Sequence, residues 1–372
     1  MKQSYKTILN LNNRCNVKHT LLIDLHSLKN AYCGLWTFTC EFGNELIRQI
    51  DFDKWDVTFL VPENHPFTSD KVHYKTLKWW HRFTSLLWRY DVVHATAQNS
   101  PYIRRKNRHT KYVVTIHDLN FLYEKRSFKM QRYLSKYQHN IKGIDHIVCI
   151  SWFTEQDVLQ YLQIGKSKHS VIYHGLTLPG GSSSLAAGSV AESIKDKPYL
   201  FDISTIMRKK NILILVEMMR FLPDMNLVVA GKVVHQDYYE EIVQAIAMYE
   251  LKDRVLMLGS VTEEEKWWLY EHCTAFVFPS LAEGFGLPPL DAMQVGKPVF
   301  ASRSTSIPEI CGEMAFYWDI LEGQAMAQVV QSNLANTTAP QCNAKLLKAY
   351  TQKYNWNRCI NQYMDVYEKL LK

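Results

Sequence analysis

No run in this 372-residue sequence approaches the roughly 18 consecutive apolar residues that a helix needs to cross a bilayer, although 47% of its residues are apolar. The opening MKQSYKTILNLNNRC has no apolar core of the secretory kind, so the expected compartment is the cytoplasm, with peripheral attachment to the inner face of a membrane left open. The eight cysteines, Cys15, Cys33, Cys40, Cys149, Cys273, Cys311, Cys342 and Cys359, show neither C-x-x-C nor His-paired spacing. That argues against a zinc site and for reduced, mostly buried thiols. Asp51-Phe52-Asp53 has the spacing of a metal-binding pair, but it sits in a polar turn before a strand. A metal-binding pair belongs at a strand's C-terminal end, so no metal is expected. RNP, zinc-finger and helix-turn-helix patterns are missing too, which argues against nucleic acid as a partner.

What is present falls into two halves. Residues 1–175 carry 25 Lys and Arg against 14 Asp and Glu, and the remainder carries 18 against 22. The basic half is the one suited to an anionic partner. Within it, residues 77–90 (LKWWHRFTSLLWRY) place Trp79, Phe83, Leu86, Leu87 and Tyr90 on one helical face, with Lys78, Arg82 and Arg89 elsewhere. Such a helix either packs on a core with a solvated basic edge or lies on an anionic membrane surface. The cluster Arg104, Arg105, Lys106, Arg108 and Lys111 favours the second. The stretch 176–193 (LTLPGGSSSLAAGSVAES) buries little apolar surface and reads as a flexible connection. The length suffices for two domains, expected at 1–175 and 199–353, with a linker over 176–198 and a terminal helix over 354–372.

Apolar runs alternate with helical patterns in both halves, as in α/β parallel sheets covered on both faces. Strands are expected at 19–25, 57–61, 91–95, 112–117, 146–151, 171–175, 199–204, 227–231, 255–259 and 275–278. Helices are expected over 40–50, after Ser151, and over 290–295. His117-Asp118 ends a strand, where ligands of open α/β sheets collect. His94 also follows an apolar run and reads as structural. Arg208, Lys209 and Lys210 precede an amphipathic helix whose positive end repels them, a conflict that an anionic ligand would resolve. Gly259, followed by Ser260 and Val261, lets a nucleotide approach the backbone.

The densest chemistry runs from Ala275 to Gly312. A strand leads into the loop Glu283-Gly284-Phe285-Gly286-Leu287-Pro288-Pro289, and a helix follows with proline in its first turn. Its unpaired N–H groups and partial positive charge suit a phosphate. Glu283 and Asp291, with seven residues between them, can face the same crevice and accept hydroxyls there. The expected ligand is a nucleotide sugar.

This E-x7-D pattern around a GFGLP loop, with its flanks from Arg254 to Trp318, resembles the E-x7-E signature of retaining family 4 glycosyltransferases of the GT-B fold, Asp291 being one methylene shorter than the usual Glu. The resemblance implies an α/β architecture of two Rossmann-like domains facing across a cleft, with the C-terminal helix crossing back onto the first. It places His117 against the donor sugar near the reaction centre, Glu283 on the sugar and Asp291 on the ribose. Lys210, with Arg208 or Lys209, falls on the diphosphate, supported by the N–H groups of Gly284, Phe285, Gly286 and Leu287. Gly259, Ser260 and Val261 line the base, and Gly34 lies in the turn near donor and acceptor. The implied reaction transfers a hexose, with retention, from a nucleoside diphosphate sugar to a hydroxyl on a glycan or lipid-linked glycan in bacterial surface-polysaccharide synthesis (lipopolysaccharide or O-antigen). Neither metal nor other cofactor is implied. The competing readings are a nucleotide-sugar epimerase of the same fold and a non-enzymatic nucleic-acid-binding protein.

Overall fold

A computed structural model describes residues 18–29, 34–83, 89–124, 127–177, 194 and 198–372. The first sheet contains β1 (His19–Asp24), β2 (Trp55–Val61), β3 (His73–Thr76), β4 (Val92–Ala95), β5 (Lys111–Ile116), β6 (His146–Cys149) and β7 (Lys168–Val171), in the order β3-β2-β1-β4-β5-β6-β7. The second contains β8 (Tyr199–Ile203), β9 (Asn226–Ala230), β10 (Val255–Gly259), β11 (Ala275–Phe278), β12 (Val299–Ser302) and β13 (Phe316–Trp318), in the order β10-β9-β8-β11-β12-β13. Neighbouring strands run parallel throughout both sheets. Both are Rossmann-like sheets, and in each the strand order reverses beside its first strand, where such sheets bind ligands. Helices cover both faces, so the central strands read as near-continuous apolar runs. In β1, Leu21 and Ile23 enter one core while Leu22 enters the opposite one.

The terminal helix Trp356–Leu371 crosses back to the first sheet, with Trp356, Ile360, Tyr363 and Tyr367 joining the core of Leu21, Ile23 and Phe42. Those residues recur at helical spacing, and Asn355 caps the helix by accepting from the N–H of Arg358. Beneath them His94 is fully buried and neutral, burial pushing its pKa down to about 3. Its Nε2 lies 2.8 Å from Thr115 Oγ1, and its Nδ1 lies 2.7 Å from Tyr367 OH. Thr115 in turn meets Tyr363 OH at 2.9 Å. His94 is therefore a structural residue that ties the last helix to the first sheet.

Several elements differ from what the sequence pattern predicts. The helix expected over 40–50 begins at Gly34. The strand expected at 171–175 is instead β7, because the chain then leaves the sheet to pack Gly175 against Trp356, where a Cβ would stand 2.4 Å from the indole. The helix expected over 290–295 starts at Leu287, since Pro288 and Pro289 fit a first turn that needs no N–H donors. Within the helix expected over 77–90, Trp79–Phe83 is a short 3-10 turn, and residues 84–88 lie outside the described residues. So does most of the expected linker, 178–193 and 195–197. Asp51 accepts from the N–H of Asp53 and pairs with Lys54, which makes this D-x-D a turn. Among the described residues no helix is long and apolar enough to cross a membrane.

Replacing Tyr367 by Phe leaves one buried nitrogen of His94 without a partner. Such an orphan costs about 1–3 kcal/mol, to be read as a lowered urea midpoint at constant slope. A midpoint unchanged from wild type would show that this bond contributes nothing.

Candidate functional site

The C-terminal ends of the two sheets meet. β11 leads into Ser280 and Glu283, β8 leads into the 3-10 turn Arg208–Lys210, and the two are neighbours at the reversal of the second sheet. Leu281 N–H donates to Lys209 O at 2.8 Å, zipping the two loops together. Asn211 then takes φ 55°, a left-handed conformation that asparagine tolerates, before the helix Ile212–Met218. Lys210 Nζ lies 2.5 Å from Glu283 Oε1, and Ser280 Oγ donates to the same oxygen at 2.5 Å. Burial opposes the charge on Glu283, but the charges of Lys210 and Lys209, with hydrogen bonds from Lys210 and Ser280, hold its pKa below the ordinary range.

The three cations part company. Arg208 turns away from the cleft, its guanidinium pairing with Asp237 at 2.9 Å and Glu241 at 2.6 Å on the helix Gln236–Met248 and lying over Tyr238. Lys209 crosses to the first domain and meets Glu124 at 3.2 Å. Burial works against its charge, yet Glu283, Asp118 and Glu124 together raise its pKa. Arg208 is thus neutralised on the outer helix, while Lys209 and Lys210 face the carboxylates of the cleft.

Gly284 lies against the end of β5. A Cβ at this position would stand 2.0 Å from His117 O and 2.9 Å from Asp118 Cβ, so only glycine allows this approach. His117 has its ring turned inward, with Nε2 donating to Thr96 O at 2.8 Å and the ring edge-on to Phe38. Burial depresses its pKa to about 4, so it is neutral with its lone pair on Nδ1. Asp118 accepts from Asn120 N–H, and burial raises its pKa despite Lys209 nearby. Phe285 extends this contact as His174 stacks between it and Phe38, with centroids 4.8 and 4.3 Å away.

Two glycines and a carboxylate define the other end. Gly259 takes φ 71° and its carbonyl accepts from Gly231 N–H at 2.6 Å, while Gly231 lies against Ser204 O. Ser260 is exposed and Val261 half-buried, leading to the helix Glu263–His272, which Thr262 and Glu265 cap reciprocally. Asp291 lies on the Leu287–Gln294 helix near Lys266 and Glu263, and burial pushes its pKa up to about 7. Gly286 caps that helix at φ 103° and Leu287 is its first residue. Gly34 opens the first-domain helix, and among the described residues nothing lies within 4 Å of a would-be Cβ there.

Sequence reasoning missed several groups at this site. Asp202, at the end of β8, is wholly buried, its Oδ1 without a hydrogen-bond partner among the described residues and its pKa pushed up to about 7 by burial. Thr305, at φ 50°, accepts from Glu283 N–H at 2.8 Å. A β-branched residue in that conformation costs about 1–3 kcal/mol, which the surrounding structure must overcome. Asp202 did carry a signal, a carboxylate inside an apolar strand run. Among the described residues no group of three or more His, Cys, Asp or Glu could hold a metal ion.

Residues 189–332 match the family model of glycosyl transferases group 1, and residues 36–178 that of glycosyltransferase family 4. The chain is 26% identical over 277 residues to the serotype-specific mannosyltransferase WbdA of Escherichia coli, a match covering 70% of this chain and 34% of that protein. It thus spans about a third of the length of that relative. It is 24% identical over 323 residues to the O-antigen chain mannosyltransferase RfbU of Salmonella typhimurium, covering 80% and 86%. Among solved structures, sucrose-phosphate synthase from Thermosynechococcus elongatus superimposes with a TM-score of 0.75 at 20% identity, covering 95% of this chain and 99% of that one. Anabaena Alr3699/HepE in complex with UDP and glucose gives 0.69 at 17%, covering 94% and 99%.

Asp291 supplies a pH test. Its folded pKa of about 7 exceeds the ordinary 3.8, so its stabilising contribution is present below the ordinary value and lost as pH rises through 7. Asp291→Asn should therefore raise Tm at pH 8, by roughly 2–4 °C for each kcal/mol relieved, and change it little at pH 3, below the ordinary value. An equal change at both pH values would refute the assignment.

Proposed function

Because this chain belongs to the family 4-type glycosyltransferases of the GT-B fold, we propose that it moves a hexose, with retention, from a nucleoside diphosphate sugar to a hydroxyl of a glycan or lipid-linked glycan in surface-polysaccharide synthesis. The proposed hexose is mannose, supported by relatives named as serotype-specific, O-antigen chain and lipopolysaccharide core biosynthesis mannosyltransferases. The observation that carries the reading is the ion pair of Lys210 and Glu283 at the sheet reversal, with Lys209 beside it. Two cations suit a diphosphate, and an ionised carboxylate next to them suits sugar hydroxyls.

In this reading the bond from the anomeric carbon to the diphosphate breaks while a bond to the acceptor oxygen forms on the same face. The acceptor's proton passes to the leaving diphosphate. Lys209 and Lys210 stabilise the charge that grows on that group, and the N–H groups of Gly286 and Leu287 add to it at a helix start. Pro288 and Pro289 have none to offer. With two lysines meeting the diphosphate, the reaction is proposed to proceed without a metal.

The decisive assay incubates the chain with nucleoside diphosphate mannoses of different bases and a lipid-linked or free glycan, and reads product mass and anomeric configuration by NMR. Lys210→Gln, which removes the charge but keeps a polar side chain, should lower kcat by on the order of 10². Glu283→Gln should lower transfer as steeply, yet leave calorimetric binding of the free nucleoside diphosphate almost unchanged, because that ligand has no sugar to lose. EDTA should leave the wild-type rate intact. Inversion at the anomeric carbon would overturn the retaining mechanism, and abolition of nucleotide binding by Glu283→Gln would move that carboxylate from the sugar to the nucleotide.

A lipid-linked acceptor calls for contact with a membrane surface. Trp79 is 66% exposed, Trp80 45% and Phe83 50%, with Arg105 over the Phe83 ring. This aromatic and basic edge is proposed to rest on anionic lipid, where each Lys or Arg contributes about 1 kcal/mol. Sedimentation should show binding to anionic vesicles that salt reverses. Equal binding to neutral vesicles would count against it.

A further inference from the structure

The N-terminus of the first-domain helix Trp152–Tyr161 is capped from the other domain. Its leading N–H groups have no partners within the helix. Trp152 N–H donates to Glu309 Oε1 and Phe153 N–H to Oε2, each at 2.8 Å, across 157 and 156 residues of sequence. Tyr173 OH donates to Glu309 Oε1 at 2.9 Å. The remaining donors are satisfied locally, Thr154 N–H by Ser151 Oγ and Glu155 N–H by Ser151 O. Ser151 Oγ also reaches Gly284 O at 2.8 Å. The positive end of the helix thus meets a carboxylate of the second domain, a charge-assisted and geometrically exacting contact.

Glu309 does not stand alone. Within the same segment, Thr305 Oγ1 accepts from Glu283 N–H, and Ser306 Oγ lies within hydrogen-bonding distance of Glu283 O at 2.9 Å and Phe285 O at 3.1 Å. One short stretch, Thr305–Glu309, therefore grips the sugar-side loop with one end and the first domain with the other. We propose that Glu309 is a positioning residue that clamps the Trp152–Tyr161 helix onto the second domain, so that the two sides of the cleft close in the register transfer requires. The role in transfer rests on the function proposed above, whereas the clamp itself does not.

The test uses the full chain with Glu309→Gln, which keeps the side chain's size but can accept only one of the two N–H groups, and Glu309→Ala, which accepts neither. The radius of gyration from solution X-ray scattering should rise in both variants, more in Ala than in Gln. Calorimetric affinity for the free nucleoside diphosphate should stay within about threefold of wild type, while kcat at saturating donor and acceptor falls at least about tenfold. Tyr173→Phe, lacking one of the three bonds, should fall between wild type and Glu309→Gln. An unchanged radius of gyration overturns the clamp, and an unchanged kcat overturns the positioning role. Loss of nucleotide affinity in step with the rate would place Glu309 in the donor site and also overturn it. If the wild-type chain transfers no sugar, the proposed function fails, and the scattering result still decides the clamp.

Discussion

The cleft depends on how closely the C-terminal ends of the two sheets approach each other. That approach occurs at Gly284, whose backbone lies where any Cβ would overlap the carbonyl of His117. From this contact the rest is positioned: Glu283 is set beside Lys210, Phe285 is brought to His174, and Gly284 O is offered to Ser151. A side chain at residue 284 would push the second domain off the end of β5. The glycine is therefore a requirement of packing between domains as well as of a tight loop.

The electrostatics of the cleft are arranged around a partner of opposite sign. Asp118, Asp202 and Asp291 all have raised pKa values because burial disfavours their charge, while Glu283 is held below the ordinary range by two lysines. A buried ion pair contributes little net stability once desolvation is counted, yet removing one member leaves an uncompensated charge worth about 3–5 kcal/mol. Lys210 thus helps to keep Glu283 charged, and in the proposed reading an anionic ligand takes up the lysine while sugar hydroxyls take up the carboxylate. Arg208, already satisfied by Asp237 and Glu241, has little left to offer such a ligand.

The two domains are joined by more than their polar contacts. Phe38 from the first domain, His174 at the junction and Phe285 from the second stack in sequence, and among the described residues both buried nitrogens of His174 have no hydrogen-bond partner. A neutral imidazole serves there as an aromatic plate, and burial keeps its pKa well below normal. Protonation would bury a charge stripped of its water, so this stack favours neutral or alkaline conditions. Beneath it the terminal helix carries Trp356 against Gly175 and Phe38, so the junction rests on one continuous aromatic layer.

The sequence alone determined the strand, Gly-rich loop and proline-started helix around residues 275–294, the alternation that makes two parallel sheets, and the clustering of cations before Asn211. These are local patterns: apolar runs, turn glycines and helix-start prolines act over a few residues, so the residues themselves carry the information. Even so, boundaries slipped wherever a neighbour decided them, as at Gly175, which leaves the sheet because Trp356 packs against it. Only the tertiary structure decided which of three adjacent cations face the cleft, because the turn directs Lys209 and Lys210 into it and Arg208 onto the outer helix. It likewise decided that His117 donates inward to Thr96, that Asp202 sits buried beside the lysine turn, and that Glu309 caps a helix 157 residues away. Contacts between distant segments leave no periodicity or spacing in the chain, since they are set by how two independently formed sheets come to face each other.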